Sequence, residues 1–321
     1  IVVIGGGESA ADIANRLAEP ELGNEVYLSL KTGIRVSPRY HPIRGVPSDF
    51  LRNRFMLSIH ENIRNAVGQK FVEARIRHQE RFERFFRAGR DHSGLVESVQ
   101  ERKRYWTATL TEKAKDRLFN MFHNKSDGFL DAVGEERIRI VGPPVDETYR
   151  TFHDFEMNER LEIKPDLLMP MIGYASNLAE LSDGLIRVRD FYLGCVHVDH
   201  DDLFLVGFAR PIIGNIPTIS EMQAQYVAGL ISGKIPRDTE LPKQHVCERK
   251  ILEEKYAELN TDAMYPVEMF PYCDRLAQRM GSYPRLSRVG SFLTWLKINL
   301  APASTLYYRD GNYDPTLDSR G

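Results

Sequence analysis

The 321-residue sequence is short of several things that would have decided its class. It has 3 cysteines, Cys195, Cys247 and Cys273, and no C-x-x-C pair. That is too few to staple a chain of this length, so a reducing, cytoplasmic compartment is the simpler expectation. No stretch approaches the roughly 18 apolar residues of a membrane helix. The most apolar run near the end, Phe292 to Ala303, is interrupted by Lys297 and Asn299. Neither sign of charge prevails, with Lys+Arg 43 against Asp+Glu 45 and a formal net charge of −2. Without a global basic field, nucleic acid is not an expected partner. There is no G-x-S-x-G, no H-E-x-x-H and no P-loop, so nothing marks a serine hydrolase, a zinc peptidase or a Walker-type NTPase.

What is present fits a folded globular chain: 42% hydrophobic and 27% charged residues. Its length suggests about two domains. Ile1–Ile4 is a continuous apolar run, the pattern of a buried parallel strand. Because the chain starts within that run and without Met, it is expected to be part of a longer protein. Gly5-Gly6-Gly7 follows, then a helical stretch from Ser9 to Leu17, ended by Pro20 and Gly23, and a second strand over about Glu25–Leu30. This β-α-β start predicts an α/β fold with a parallel sheet.

Between about residues 46 and 130 strand signals fade and a helical insertion is expected. Phe71, Phe82, Phe85 and Phe86 are spaced for one helical face. Strand patterns return at Ile138–Val141, Leu167–Met169 and Leu203–Gly207. Helices are expected over Ile219–Ser232 and Val246–Leu259. The domains expected are residues 1–165 with the insertion, 166–235, and a mixed helical segment over 236–321.

Gly5-Gly6-Gly7-Glu8-Ser9-Ala10 fits G-x-G-x-x-G/A in its required place, after a strand and before a helix. Gly5 allows the turn, Gly7 lets backbone approach a pyrophosphate, and Ala10 lets helix and strand pack closely. The helix start offers N–H groups and partial positive charge to phosphate. An NAD site wants a carboxylate at the end of the second strand. Here the residues are Ser29-Leu30-Lys31-Thr32-Gly33, and Lys31 offers a cation for a 2′-phosphate, with Arg39 as a second candidate. The spacing predicts NADP(H).

Other groupings carry less. His197-Val198-Asp199-His200-Asp201-Asp202 could be drawn as a metal site, but adjacent ligands on a turn rarely converge, and a polar turn is expected. Residues 70–104 hold ten Lys/Arg against six Asp/Glu. Acids interleave with the bases, which describes a solvated amphipathic face rather than a nucleic-acid arm.

These residues resemble the flavin-containing monooxygenases, the FMO-like flavoproteins. Gly5 through Asp12, including Glu8, Ser9, Ala10 and Ala11, is similar to that family's second glycine motif, which binds NADPH. Ser29–Gly33 is similar to its S-x-R-x-G segment, with Lys31 in place of Arg. Pro165-Asp166 through Ile172-Gly173-Tyr174 resembles its D-x-x-x-x-A-T-G-Y segment, with Met171-Ile172 in place of Ala-Thr. Leu203 to Gln223, Tyr265 to Leu286 and Leu300 to Ser304 resemble three further stretches.

The resemblance implies an NADP-binding domain of Rossmann type, followed by the C-terminal portion of an FAD-binding domain. The first glycine motif, for FAD, would lie upstream. It implies cofactor contacts at Gly5, Gly7, Glu8, Ser9, Ala10, Ala11, Asp12, Ser29, Lys31, Gly173, Tyr174, Gly207, Ser220 and Gln223. The helix carrying Ser220 and Gln223 would face the flavin. It also implies an NADPH- and FAD-dependent monooxygenase, in which a C4a-hydroperoxyflavin gives one oxygen of O₂ to a small nucleophile, a soft nitrogen or sulfur or a carbonyl compound. No residue pattern marks a catalytic acid, base or nucleophile, nor an oligomeric state. Two other readings stay open: a different NADPH–flavin reductase, and an NADP-binding module without turnover.

Overall fold

The computed structural model describes residues 1–37, 39–40, 53–78, 81, 97–114, 123–157, 159–173, 178–257, 259–301 and 308. The chain divides into two compact units. The first is Ile1–Ser48 with Asn65–Tyr174; the second is Asp49–Arg64 with Ala175–Gly321.

The elements run in this order: β1 Val2–Ile4, α1 Glu8–Leu17, β2 Val26–Ser29, β3 Val36–Ser37, α2 Arg54–Ser58, α3 Glu61–Arg77, α4 Glu97–Glu112, β4 Asn124–Lys125, α5 Phe129–Gly134, β5 Ile138–Val141, β6 Thr151–His153, β7 Arg160–Glu162 and β8 Leu168–Pro170. The chain continues through α6 Leu178–Leu181, β9 Phe191–Tyr192, β10 Val196–His197, β11 Ala209–Ile213, α7 Ile216–Ile231, α8 Leu241–Lys255, β12 Tyr265–Glu268, α9 Met269–Met280, α10 Leu286–Val289 and α11 Phe292–Leu300.

The first unit is built on a 4-stranded sheet in the order β5-β2-β1-β8, every pair parallel. In chain order the sheet reads third, second, first, fourth, the arrangement of a mononucleotide-binding half. The α/β expectation is met, and the strands expected at Ile138 and Leu167 are β5 and β8. One face is covered by α1, which turns Ala10, Ala11 and Ala14 into the core. Three small side chains on one face let the helix axis approach Val3, Leu28 and Ile140 closely. The opposite face, with Val2 and Val141, is covered by Phe152 and Ile163, around the antiparallel pair β6–β7. A hairpin there replaces the usual crossover helix between β5 and β8.

The insertion leaves after β3 and returns at β4, and β3 and β4 pair in parallel at its base. It is helical where described, but not all of it belongs to the first unit: Asp49–Arg64 groups with the second. There Arg54, 3% exposed, pairs with Asp274 and lies over the Tyr308 ring at 4.8 Å and the Tyr283 ring at 5.3 Å. The Tyr308 hydroxyl donates to Asp274 Oδ1 at 2.6 Å. A buried arginine needs such a set of partners, because an unpaired charge there would cost several kcal/mol, on the order of 3–5. The apolar stripe expected through Phe71 fares differently. Phe71 is 56% exposed on α3, and Phe82, Phe85 and Phe86 lie outside the described residues.

In the second unit, β11 pairs with β12 in parallel, and α7 and α9 bury Ile219, Met222, Tyr226, Tyr272 and Leu276. Two expectations need correction. Leu203–Gly207 is not a strand: it makes one antiparallel bridge, Phe204 to Val196, and Gly207 turns away at φ +94°. Its partners explain this: His197 N–H to Leu203 O and Leu205 N–H to Cys195 O make that one bridge, and Gly207 N–H then goes to the Gln223 side chain, so the ladder does not continue. The helix expected from Val246 begins at Leu241, because Pro242 sits in the first turn, where a missing N–H costs nothing. It ends at Lys255.

Candidate dinucleotide site

At the C-terminal edge of the parallel sheet three segments emerge together: the glycine loop after β1, Lys31 after β2, and Met171–Gly173 after β8. This is the switch point of the strand order, where open α/β sheets bind ligands. The loop is pinned on both sides. Gly5 N–H donates to Ser29 O at 3.0 Å, and Met171 N–H donates to Ile4 O at 2.7 Å. Gly5 has φ +139°, and a Cβ there would lie 2.3 Å from Met171 O. Only glycine fits, for reasons internal to the protein.

Gly7 is glycine for no such reason. Its φ is −85°, open to any residue, and a Cβ would meet nothing within 4 Å. It is exposed and forms the N-cap of α1 without a side-chain cap. The space a side chain would take is therefore kept clear on the outside of the protein. The first-turn N–H groups of Glu8, Ser9 and Ala10 receive no side-chain acceptor from the cap residue. An anion placed there would satisfy them and meet the positive end of the helix. These features fit the pyrophosphate of a dinucleotide.

Lys31 is exposed two residues beyond β2, and it has no hydrogen bond or ion pair with a described residue. Its ammonium is available to a phosphate. Arg39 is committed elsewhere: it pairs with Asp12, and its Nε donates to Lys125 O at 2.9 Å. The suggested second phosphate cation is thus a brace on α1, and Asp12 is its partner. Ala10 and Ala11 are fully buried, at 0% and 1% exposed, so only the Ala10 backbone could reach a ligand. Ser29 is also buried, and its hydroxyl donates to Gly142 O at 2.8 Å. That bond ties β2 to the end of β5 rather than facing the loop opening. The Glu8 carboxylate accepts from Lys125 N–H at 3.2 Å. Gly173 is exposed at φ +101°; Tyr174 lies outside the described residues.

The remaining candidates belong to the second unit. Gln223, 0% exposed, accepts from Gly207 N–H at 3.0 Å and donates to the Tyr272 hydroxyl at 2.8 Å. It is a core cross-link with its amide spent. Gly207 and Ser220 are neighbours, since a Cβ on Gly207 would lie 3.8 Å from Ser220 Oγ. The start of α7 is capped by Asn215, whose Oδ1 accepts from Thr218 N–H at 2.9 Å, and Pro217 contributes no donor. Gly207 and Ser220 thus lie side by side, and at the start of α7 one first-turn N–H is capped by Asn215 and one is absent at Pro217.

The other groupings resolve into structure. His197 Nδ1 accepts from the N–H groups of Asp199 at 3.1 Å and His200 at 3.2 Å, which makes the histidine run a turn. Among the described residues no cluster of His, Cys, Asp or Glu could hold a metal ion. Cys195 and Cys273 are buried free thiols, Cys195 pushed up to about 12 by burial; Cys247 is exposed. A cleft of about 650 Å³ is lined by Arg187, Arg189, Arg249 and Lys250, but its arginines already pair with Asp190, Glu253 and Asp262. Among the described residues no helix is long and apolar enough to cross a membrane.

Sequence reasoning missed two residues of this site. Gly33 is buried against α4, where a Cβ would lie 2.1 Å from Leu110 O, so the loop carrying Lys31 is held by the end of that helix. Its place in the Ser29–Gly33 segment was the available signal. Asn124 is buried and its Nδ2 donates to Gly6 O at 2.9 Å. Nothing in the local sequence marks it.

The fold is α/β with a parallel sheet, and the loop geometry is that of a candidate dinucleotide site. No family profile matches the chain. It is 24% identical over 299 residues to a 4-hydroxybenzoate brominase (decarboxylating) of Marinomonas mediterranea, covering 89% of this chain and 52% of that protein. It is 23% identical over 292 residues to dimethylaniline monooxygenase (N-oxide-forming) 2 of Mus musculus, covering 88% of this chain and 49% of that protein. Among solved structures, an oxidised steroid monooxygenase bound to NADP is similar at 14% identity and a TM-score of 0.46, over 86% of this chain and 64% of the other. The chain is thus similar, at modest identity, to proteins that include FMO-type monooxygenases. It spans about half the length of the curated relatives it matches.

Proposed function

We infer that the chain is the NADPH-binding part and a C-terminal part of an FAD-dependent monooxygenase acting with O₂ on a small nucleophilic substrate. The observation that carries this is Gly7: an exposed helix N-cap without a side chain, beside uncapped N–H groups, at the switch point of a parallel sheet. When bound, NADPH supplies a hydride, and a reduced flavin supplies the reaction with O₂. The residues of this chain bind and orient. The start of α1 would hold the pyrophosphate, and Lys31 would pair with the 2′-phosphate and so select NADPH over NADH. Met171 and Gly5 fix the loop so that these donors are preorganised.

The nucleophile is proposed at the level of class, a soft nitrogen or sulfur or a carbonyl compound. The brominase relatives favour a second reading, in which the oxygen acceptor is a halide. The test uses full-length protein with its flavin, following NADPH oxidation and O₂ uptake with an amine, a sulfide, a ketone, or bromide together with a phenol, in turn. The monooxygenase reading expects one of these to appear as an oxygenated product, or as halogenated phenol with bromide. Quantitative conversion of O₂ to hydrogen peroxide with all four would contradict it. A cytoplasmic location belongs to the same proposal.

A further inference from the structure

The glycine loop has no side chains with which to fix its own peptide planes, so something outside must do it. The β3–β4 pair is in place for this. Asn124 N–H donates to Arg35 O at 2.8 Å and Ser126 N–H to Ser37 O at 3.1 Å, which sets β4 firmly on β3. From β4 the chain reaches α1 and its loop at three points: Asn124 to Gly6 O, Lys125 N–H to Glu8, and Lys125 O through Arg39 to Asp12. Arg39 is itself anchored by its N–H on Asp127 Oδ1 at 2.8 Å.

The Asn124 contact has a specific consequence. The carbonyl of Gly6 and the N–H of Gly7 belong to one peptide plane, and in a trans peptide they point in opposite directions. A buried amide that holds the Gly6 oxygen inward therefore turns the Gly7 N–H outward. A hydrogen bond to that oxygen also polarises the same N–H. We propose that Asn124 is a positioning residue for dinucleotide binding, which presents the Gly7 N–H to the pyrophosphate by holding the Gly6 carbonyl. This rests on the dinucleotide reading of the site. It also places the base of the helical insertion in direct contact with the phosphate loop.

The test measures NADP⁺ and NAD⁺ dissociation constants of the full-length protein as wild type, N124A and N124D, at pH 8 and pH 5.5. Both variants should bind both nucleotides about tenfold more weakly at pH 8, the loss of one hydrogen bond of roughly 1.4 kcal/mol. The ratio of NADP⁺ to NAD⁺ affinity should not move, because the pyrophosphate is common to both. Position 124 is buried against a carbonyl acceptor, which holds an aspartic acid there neutral well above its ordinary pKa of about 3.9. On acidification N124D should therefore recover, since the protonated carboxyl donates to the Gly6 oxygen again, while N124A should not. A merely destabilised protein would not regain affinity in acid. Wild-type affinity in both variants, or N124D and N124A responding alike to pH, would overturn the assignment. Failure of the wild type to bind either nucleotide would instead overturn the reading of the site, and this inference with it.

Discussion

The two units each present the start of a long helix after a glycine-containing turn, and the two starts are built in opposite ways. In the first unit α1 begins on exposed Gly7 with no side-chain cap. In the second, α7 begins on Asn215, whose side chain caps Thr218, and Pro217 removes a further donor. An N-terminus that satisfies itself is finished as structure. One that leaves its donors open costs stability unless something else supplies the acceptor. The difference teaches where a ligand is needed. Two stretches that resemble cofactor-binding segments in sequence thus start their helices differently in the fold.

The largest expected effect separates the glycines within the first unit. Gly5→Ala should cost about 3 kcal/mol or more, through strain at φ +139° and the clash with Met171 O. Gly7→Ala should leave stability within about 1 kcal/mol yet weaken NADP⁺ binding roughly tenfold. Denaturant unfolding and nucleotide titration of the two variants check this. Equal stability losses would remove the distinction between a glycine kept for the fold and one kept for a ligand.

Next comes the cap itself. Asn215→Ala should cost about 1 kcal/mol in unfolding free energy, with NADP⁺ affinity unchanged. Gly7→Ser supplies the missing cap on α1 and should stabilise by a few tenths of a kcal/mol while weakening NADP⁺, because the hydroxyl competes for the same N–H groups. A Gly7→Ser protein that binds NADP⁺ more tightly would break the comparison.

The smallest effect is on pH. Burial, and then the neighbouring His200, lower the pKa of His197. The folded state therefore holds this ring neutral. Its stability contribution is intact above the ordinary histidine pKa of about 6.5 and is lost as pH falls below it, because the unfolded chain then binds a proton the folded one refuses. Burial lowers the pKa of His245 in the same direction, so unfolding midpoints at pH 7.5 and 5.5 should show the acid loss, and His197→Asn should reduce it without abolishing it.

Much of the first unit was legible in sequence. An apolar run into three glycines and an alanine-rich helix has few other solutions, and the strands at Ile138 and Leu168 follow from continuous apolar patterns. What was not legible depended on distant partners. Ser29 reads as a ligand contact but spends its hydroxyl on Gly142, 113 residues away. Arg39 reads as a phosphate cation but braces Asp12, and Asn124 meets Gly6 only because β4 returns from the insertion to β3. In the second unit, Leu203–Gly207 has the composition of a strand. Whether such a run forms a ladder is settled by its neighbours, and Gln223 takes the Gly207 N–H that a ladder would have used.

The measurement that bears most directly on the central claim is the affinity of the full-length protein for NADP⁺ and NAD⁺, with and without Lys31. The open start of α1 should bind both, and Lys31 should add a charge-assisted contact to the 2′-phosphate. NADP⁺ should therefore bind about tenfold tighter than NAD⁺, a difference of roughly 1.4 kcal/mol. Lys31→Ala should erase that preference and leave NAD⁺ affinity in place. Equal affinity for the two nucleotides in the wild type, or a preference that survives in Lys31→Ala, would contradict the account.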